Sequence, residues 1–234
     1  MELIDTGIPE LNEILTGGFP KNNSILLAGS CGTGKTILSE QFLFKGAKDY
    51  DEVGIYISLS EPSDKILRNL EPFSFYDPEL VDSGKIKFLD ITEDARLVNL
   101  EPLTVSGIIN MIASIIRDTE ATRVVIDSIT GICNSLGSEK KVREFIFELG
   151  LQLNYLNCTT ILISEVPPMT HQYSIYGVEE FIADGVILLG FQEERGELIR
   201  TLQVVKMRGV NHSRKKHIME ITSDGIQLKP MFEL

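Results

Sequence analysis

The residues Gly29-Ser30-Cys31-Gly32-Thr33-Gly34-Lys35-Thr36 fit the pattern G-x-x-x-x-G-K-[ST], in which backbone N–H groups wrap a chain of phosphates. The glycines keep side chains off the phosphate oxygens and permit the tight turn. In this pattern Lys35 reaches the β- and γ-phosphates of a nucleotide, and the Thr36 hydroxyl holds Mg²⁺. The candidate binding segment runs from Gly29 to Ile37, with Cys31 at one of the variable positions. A phosphate loop also needs an acid to organise Mg²⁺ and its waters. Asp127 ends the apolar run Arg123-Val124-Val125-Ile126-Asp127 and is the candidate; the other reading is an aspartate capping a turn. Hydrolysis further requires a group that orients water. Glu61, in Ser58-Leu59-Ser60-Glu61-Pro62, follows another apolar run, and its rival role is to cap a helix over Ser63 to Leu70 begun by Pro62. Glu165 qualifies by position, after the run Thr160 to Ser164. Lys206 and Arg208 lie two apart and therefore on one face of a strand. Two neighbouring cations repel. They are either a solvated pair or a pair that reaches the γ-phosphate held by an adjacent subunit.

These residues need elements to position them. Ser24 to Ala28 reads as a buried strand, and from Lys35 the segment TILSEQFLFKGA has apolar residues at helical spacing, so the anion would meet a helix N-terminus. Further strands are expected at Val53–Leu59, Lys85–Leu89, Arg123–Asp127 and Thr159–Ile163. Between them, Ile108, Ile109, Ile112, Ile115 and Ile116 share a helical face, as do Val142, Phe145, Ile146, Leu149 and Leu153. This alternation predicts an α/β fold with a mainly parallel sheet flanked by helices. Gly185–Leu189, Leu198–Lys206, His217–Ile221 and Gly225–Leu228 read as strands joined by short turns, expected as antiparallel C-terminal additions. Phe19-Pro20 and Pro167-Pro168 mark loops, and Glu165 to Tyr176 reads as a mobile loop, a partner-binding surface or an ordinary long connection.

Composition bounds the function. The chain has 234 residues, 43% of them hydrophobic, and is expected to form one domain over 1–234. No apolar stretch reaches transmembrane length and the N-terminus lacks a leader pattern, so a cytoplasmic protein without membrane contact is expected. Cys31, Cys133 and Cys158 form neither a disulfide framework nor a metal-ligand spacing. The net charge of −12 argues against nucleic acid as a partner. Arg214-Lys215-Lys216-His217 is a basic run that reads as a solvated turn or a local patch.

The segments TGIPELNEILTGGFPKNNSILLAGSCGTGKT, QFLFKGA, VVIDSITG, YGVEEFIADGVILL, RTLQVVKMRGVNHS and EITSDGIQLKP, in this order, make the chain resemble the KaiC branch of the RecA-like ATPases from about Asp5 to Pro230. Only one such module is present. The resemblance implies a RecA-like core, ATP or ADP with Mg²⁺, and a homo-oligomeric ring, usually a hexamer, with nucleotide between subunits. It assigns Gly29, Gly32, Thr33, Gly34, Lys35 and Thr36 to the loop, Asp127 to the cation site, and Lys206 and Arg208 to the neighbour's γ-phosphate. It also places His212 near that phosphate. The family pattern has two adjacent glutamates where this chain has Ser60 and Glu61, which implies slow hydrolysis. Three functions follow: a slow ring-dependent ATPase, a nucleotide-gated module that recruits a regulatory protein, and a recombinase-like DNA-binding ATPase, which the acidic charge disfavours. Autophosphorylation is compatible with the family, and no residue here requires it.

Overall fold

The structure, a computed structural model, describes residues 1–59, 61–91, 104–168, 170 and 172–231. Ser60, the departure from the paired glutamates, lies outside the described residues.

The chain opens with a small antiparallel ribbon, β1 (Leu3–Ile4) and β2 (Phe19–Pro20), separated by α1 (Pro9–Ile14). Phe19-Pro20 is thus a strand rather than the loop expected from its proline. The ribbon is two residues long, so proline's missing N–H costs little there. Phe19 is fully buried, edge-on to Phe42 with ring centroids 5.7 Å apart.

The main sheet contains β3 (Ser24–Gly29), β4 (Gly54–Ser58), β5 (Ile86–Asp90), β6 (Arg123–Asp127), β7 (Thr159–Glu165), β8 (Gly185–Glu194), β9 (Glu197–Met207), β10 (Lys216–Thr222) and β11 (Gly225–Pro230). Their spatial order is β11-β10-β9-β8-β3-β7-β6-β4-β5. The six strands from β8 to β5 are parallel, and β9, β10 and β11 extend one edge antiparallel. This is the mainly parallel sheet with antiparallel C-terminal strands that the sequence predicts.

Alternation along the strands builds two cores. Ile25, Leu27, Tyr56, Val125, Ile161 and Ile163 pack toward α2 (Lys35–Tyr50). Leu26, Ile55, Ile57, Val124 and Ile126 face the other way, toward the isoleucine-rich helix over Val105–Thr119 and the helix over Glu139–Tyr155. Strands buried on both faces read as unbroken apolar runs. The remaining helices are α3 (Ser63–Leu70), α4 (Pro78–Asp82), then α5 (Val105–Thr119), α6 (Ile129–Ser135), α7 (Glu139–Tyr155) and α8 (Glu179–Ile182). Helix starts follow capping chemistry: Thr104, Ser128 and Ser138 each accept a backbone N–H of the first turn.

Arg123, at the start of β6, is 1% exposed. Its guanidinium pairs with Glu52 at 2.5 Å, donates to the carbonyls of Asp5 at 2.7 Å and Phe42 at 2.8 Å, and lies 4.5 Å above the Phe42 ring. One buried cation thereby joins the sheet, α2 and the N-terminal segment. Among the described residues no helix is long and apolar enough to cross a membrane.

Candidate nucleotide-binding site

β3 leads into the glycine loop and α2 leads out of it. A Cβ on Gly29 would stand 2.7 Å from Thr33 Oγ1 and 2.8 Å from the Leu189 carbonyl, closer than real contacts allow. Gly34, with φ +96°, occupies the left-handed region at the start of α2. No side chain caps this helix, so its first-turn N–H groups stay available to an anion. Thr33 Oγ1 donates to the Ser30 carbonyl at 2.8 Å, and Lys35 Nζ donates to the same oxygen at 2.9 Å. Cys31 and Gly32 are exposed at the tip, and Ile37 is half-buried on the helix.

Four acids lie at this end of the sheet or on the helix that leaves the loop, Asp127 and Glu165 acting on Lys35 and Glu40 lying near Asp127 and Glu61. Thr36 Oγ1 lies 3.4 Å from Asp127 Oδ2, which also accepts a short hydrogen bond from the Tyr56 hydroxyl. Burial raises the pKa of Asp127, offset in part by the Tyr56 hydrogen bond and the Lys35 charge. Burial lowers that of Lys35, against the attraction of Glu165 and Asp127. Glu165 pairs in register with Gly29, and its N–H donates to Thr130 Oγ1 at 3.0 Å. Position alone could suggest Glu165; its place beside Lys35 comes from the β3–β7 pairing. Glu61 follows β4, whose Ser58 pairs with Asp127. Its N–H donates to Ser58 Oγ at 3.1 Å, while its carboxylate pairs with Lys65 at 2.5 Å. The side chain does not cap α3, which starts after Pro62 without a side-chain cap. The fourth acid is Glu40 on α2, 2% exposed, with burial pushing its pKa well above the ordinary range.

Lys206 and Arg208 lie elsewhere. Lys206, near the end of β9, donates to the carbonyls of Glu180 at 3.1 Å and Ala183 at 2.6 Å. Arg208, one residue past the strand, pairs with Asp184 at 3.1 Å and donates to the Phe181 carbonyl at 3.4 Å. Both therefore contact the C-terminal end of α8; Lys206 is half-buried there, while Arg208 stays largely exposed. Burial lowers the pKa of Lys206, and the nearby Arg208 lowers it further. His212 sits in the β9–β10 connection, its Nδ1 3.1 Å from the Ser213 carbonyl, and that connection docks on α1 through Ser213 N–H to the Ile14 carbonyl. Arg214 and Lys215 are exposed in the connection, whereas Lys216 and His217 open β10, so the basic run is a turn only in its first half.

Within one chain, then, Gly29 to Ile37, Asp127 and Glu61 share one end of the parallel strands, and Lys206, Arg208 and His212 do not join them. Sequence reasoning missed Tyr56, Glu40 and Arg200, whose Nε donates to the Gly32 carbonyl at 3.0 Å. Glu40 was findable, four residues after Thr36 on the same helical face. Tyr56 hides in an apolar run, and Arg200 depends on the β8–β9 pairing.

A parallel sheet with a phosphate loop at the carboxyl end of β3, and an acid at the end of β6, defines a nucleotide-binding protein of the RecA-like phosphate-loop class. The profile of the family described as "ATPase: KaiC" matches residues 4–232, and the chain belongs to that family. It is 35% identical to a UPF0273 protein of Methanopyrus kandleri, over 98% of this chain and 93% of the relative. It is 34% identical to the circadian clock oscillator protein KaiC of a Nostoc species, where 99% of this chain covers 45% of the relative. The crystal structure of a KaiC-like protein from Pyrococcus horikoshii OT3 superposes with a TM-score of 0.86 at 37% identity, covering 98% of this chain and 99% of that one.

Proposed function

We propose that the chain is a slow ATPase acting as a homo-oligomeric ring, each active site being completed by the neighbouring copy. The carrying observation is the distance of Lys206 and Arg208 from their own phosphate loop. Arg208 N–H donates to the Asp184 carbonyl at 2.9 Å, and Asp184 N–H donates to that of Ser24 at 2.8 Å. Arg208 is therefore level with the first residue of β3, while the loop leaves from the last, Gly29. Five rises make roughly 16 Å along the strand, and two strand spacings of ~4.8 Å add to it. No arginine side chain spans that gap, so a phosphate that meets Arg208 belongs to another copy. Phe181, 70% exposed beside Arg208, adds apolar surface for that copy to cover.

In this reading the glycine loop and the α2 N-terminus bind the triphosphate, and Lys35 turns from the Ser30 carbonyl to the β- and γ-oxygens. Thr36 and Asp127 are the oxygen donors that fit Mg²⁺, a hard cation that draws charge from the phosphates when bound. Glu61 orients the attacking water. Lys206 and Arg208 of the next copy offset charge on the γ-phosphoryl group as it leaves, a contribution of about 10³–10⁵ in rate where an arginine acts this way. Native mass with and without Mg·ATP, followed by phosphate release from each assembled form, tests the reading. A monomer hydrolysing ATP at the full rate would refute it.

The hold of Lys65 on the Glu61 carboxylate favours a second reading, in which turnover is minimal and the ATP-closed ring recruits a regulatory protein. Single-turnover kinetics separates the two: ATP that persists for hours in a stable ring selects the switch.

A further inference from the structure

Helix α2 carries Thr36 and Glu40 on one face, one turn apart. Glu40 is the deeper residue, and its Oε1 is a buried acceptor without a hydrogen-bond partner among the described residues. The charges acting on it are Asp127 and Glu61, both negative. Tyr56 feels both Asp127 and Glu40, but its hydroxyl donates to Asp127. Lys35 does not relieve Glu40 either, since the charges acting on Lys35 are Glu165, Asp127 and Cys31. A buried polar atom left unpaired costs about 1–3 kcal/mol, a cost a leucine at the same place would avoid.

We propose that Glu40 is an outer-sphere ligand of the divalent cation at the nucleotide site, its carboxylate accepting hydrogen bonds from water that the cation carries. The inference rests on the nucleotide-binding reading and adds a residue to it. Thr36, Asp127 and Glu40 offer only oxygen, the donor chemistry of Mg²⁺, which retains several of its waters when bound. Among the described residues no three of His, Cys, Asp or Glu are grouped to grip a metal ion directly. Partners outside the first coordination sphere typically change metal affinity 10–100-fold.

The test is Mn²⁺ binding to the full chain at saturating ADP, read by electron paramagnetic resonance, with wild type, Glu40→Gln and Glu40→Leu. Glu40→Gln is expected to weaken Mn²⁺ binding by about 10-fold or more. Metal-free ADP affinity should be unchanged, and the melting temperature without metal should equal or exceed that of wild type. Glu40→Leu, which removes the polar atoms and fills the space, should give the same loss, so either variant suffices if the other folds poorly. Mn²⁺ affinity equal to wild type would overturn the proposal and leave the nucleotide-binding reading standing. Failure of wild type to hold ADP would remove that reading, and the proposal with it.

Discussion

At the residue scale, the site is governed by carboxylates taken out of water. Asp127 is kept in place by Tyr56 and Thr36, two donors from different elements. Tyr56→Phe leaves one oxygen of a half-buried carboxylate with a weaker partner. It is expected to lower unfolding stability by about 1–3 kcal/mol in denaturant titrations; no change would mean that water replaces the hydroxyl. Glu40 gives a prediction in pH. Its pKa in the fold is well above its ordinary value of 4.5, so across that window the folded state binds more protons than the unfolded chain. This group's contribution to stability therefore falls as pH rises, the opposite of a salt-bridged acid. Asp127, also raised, has the same sign, while Glu61 and Tyr56 are the other groups facing Glu40. The melting temperature of metal-free Glu40→Gln should exceed that of wild type by a margin that grows as pH rises above the ordinary glutamate value of 4.5. Parallel curves would show that the folded state holds no extra proton on Glu40.

At the element scale, α7 and α8 decide where the distant cations point. A Cβ added at Gly150 on α7 would overlap Ile182 of α8, so the two helices are in direct contact. The carbonyls of α8 and the following Ala183, with the Asp184 carboxylate, hold Lys206 and Arg208. Gly150→Ala should displace α8 and reduce ATP turnover while leaving ADP affinity intact, because the phosphate loop lies at the other end of the strands. A variant with normal turnover would show that α8 does not position these cations. The principal elements were legible because each has one dominant periodicity: the β6 run and the α3 span match their expected limits, and the isoleucine stripe of α5 is the buried one. Less legible were α1, α6 and the β1–β2 ribbon. Each is a few residues long, too short for a period to show, and depends on packing against the larger core.

At the scale of the whole molecule, the separation of the two cation-bearing residues from the phosphate loop sets the strongest expectation. Arg208→Ala should lower turnover while ATP binding persists; equal ATPase rates for variant and wild type would count against a trans role. Mixing gives a sharper check. Lys35→Ala copies lose their own phosphate grip but still present Arg208, whereas Arg208→Ala copies keep an intact loop. If sites form between copies, mixed assemblies should hydrolyse ATP faster than either variant does alone. Absence of any recovery in mixed rings would place the whole site within one chain.

The sequence by itself determined the phosphate loop, the acid at the end of β6, the order of the main-sheet strands and the longer helices between them, and membership of the KaiC family. These are local patterns, written in consecutive residues or in one helical or strand period. Tertiary structure alone decided that Tyr56 bonds Asp127, that Glu165 stands beside Lys35, that Glu61 is held by Lys65, and that Lys206 and Arg208 lie at the far end of the strands. The reason is register. Residues far apart in the chain meet only when a strand chooses its partner and its offset, and no short segment carries that choice.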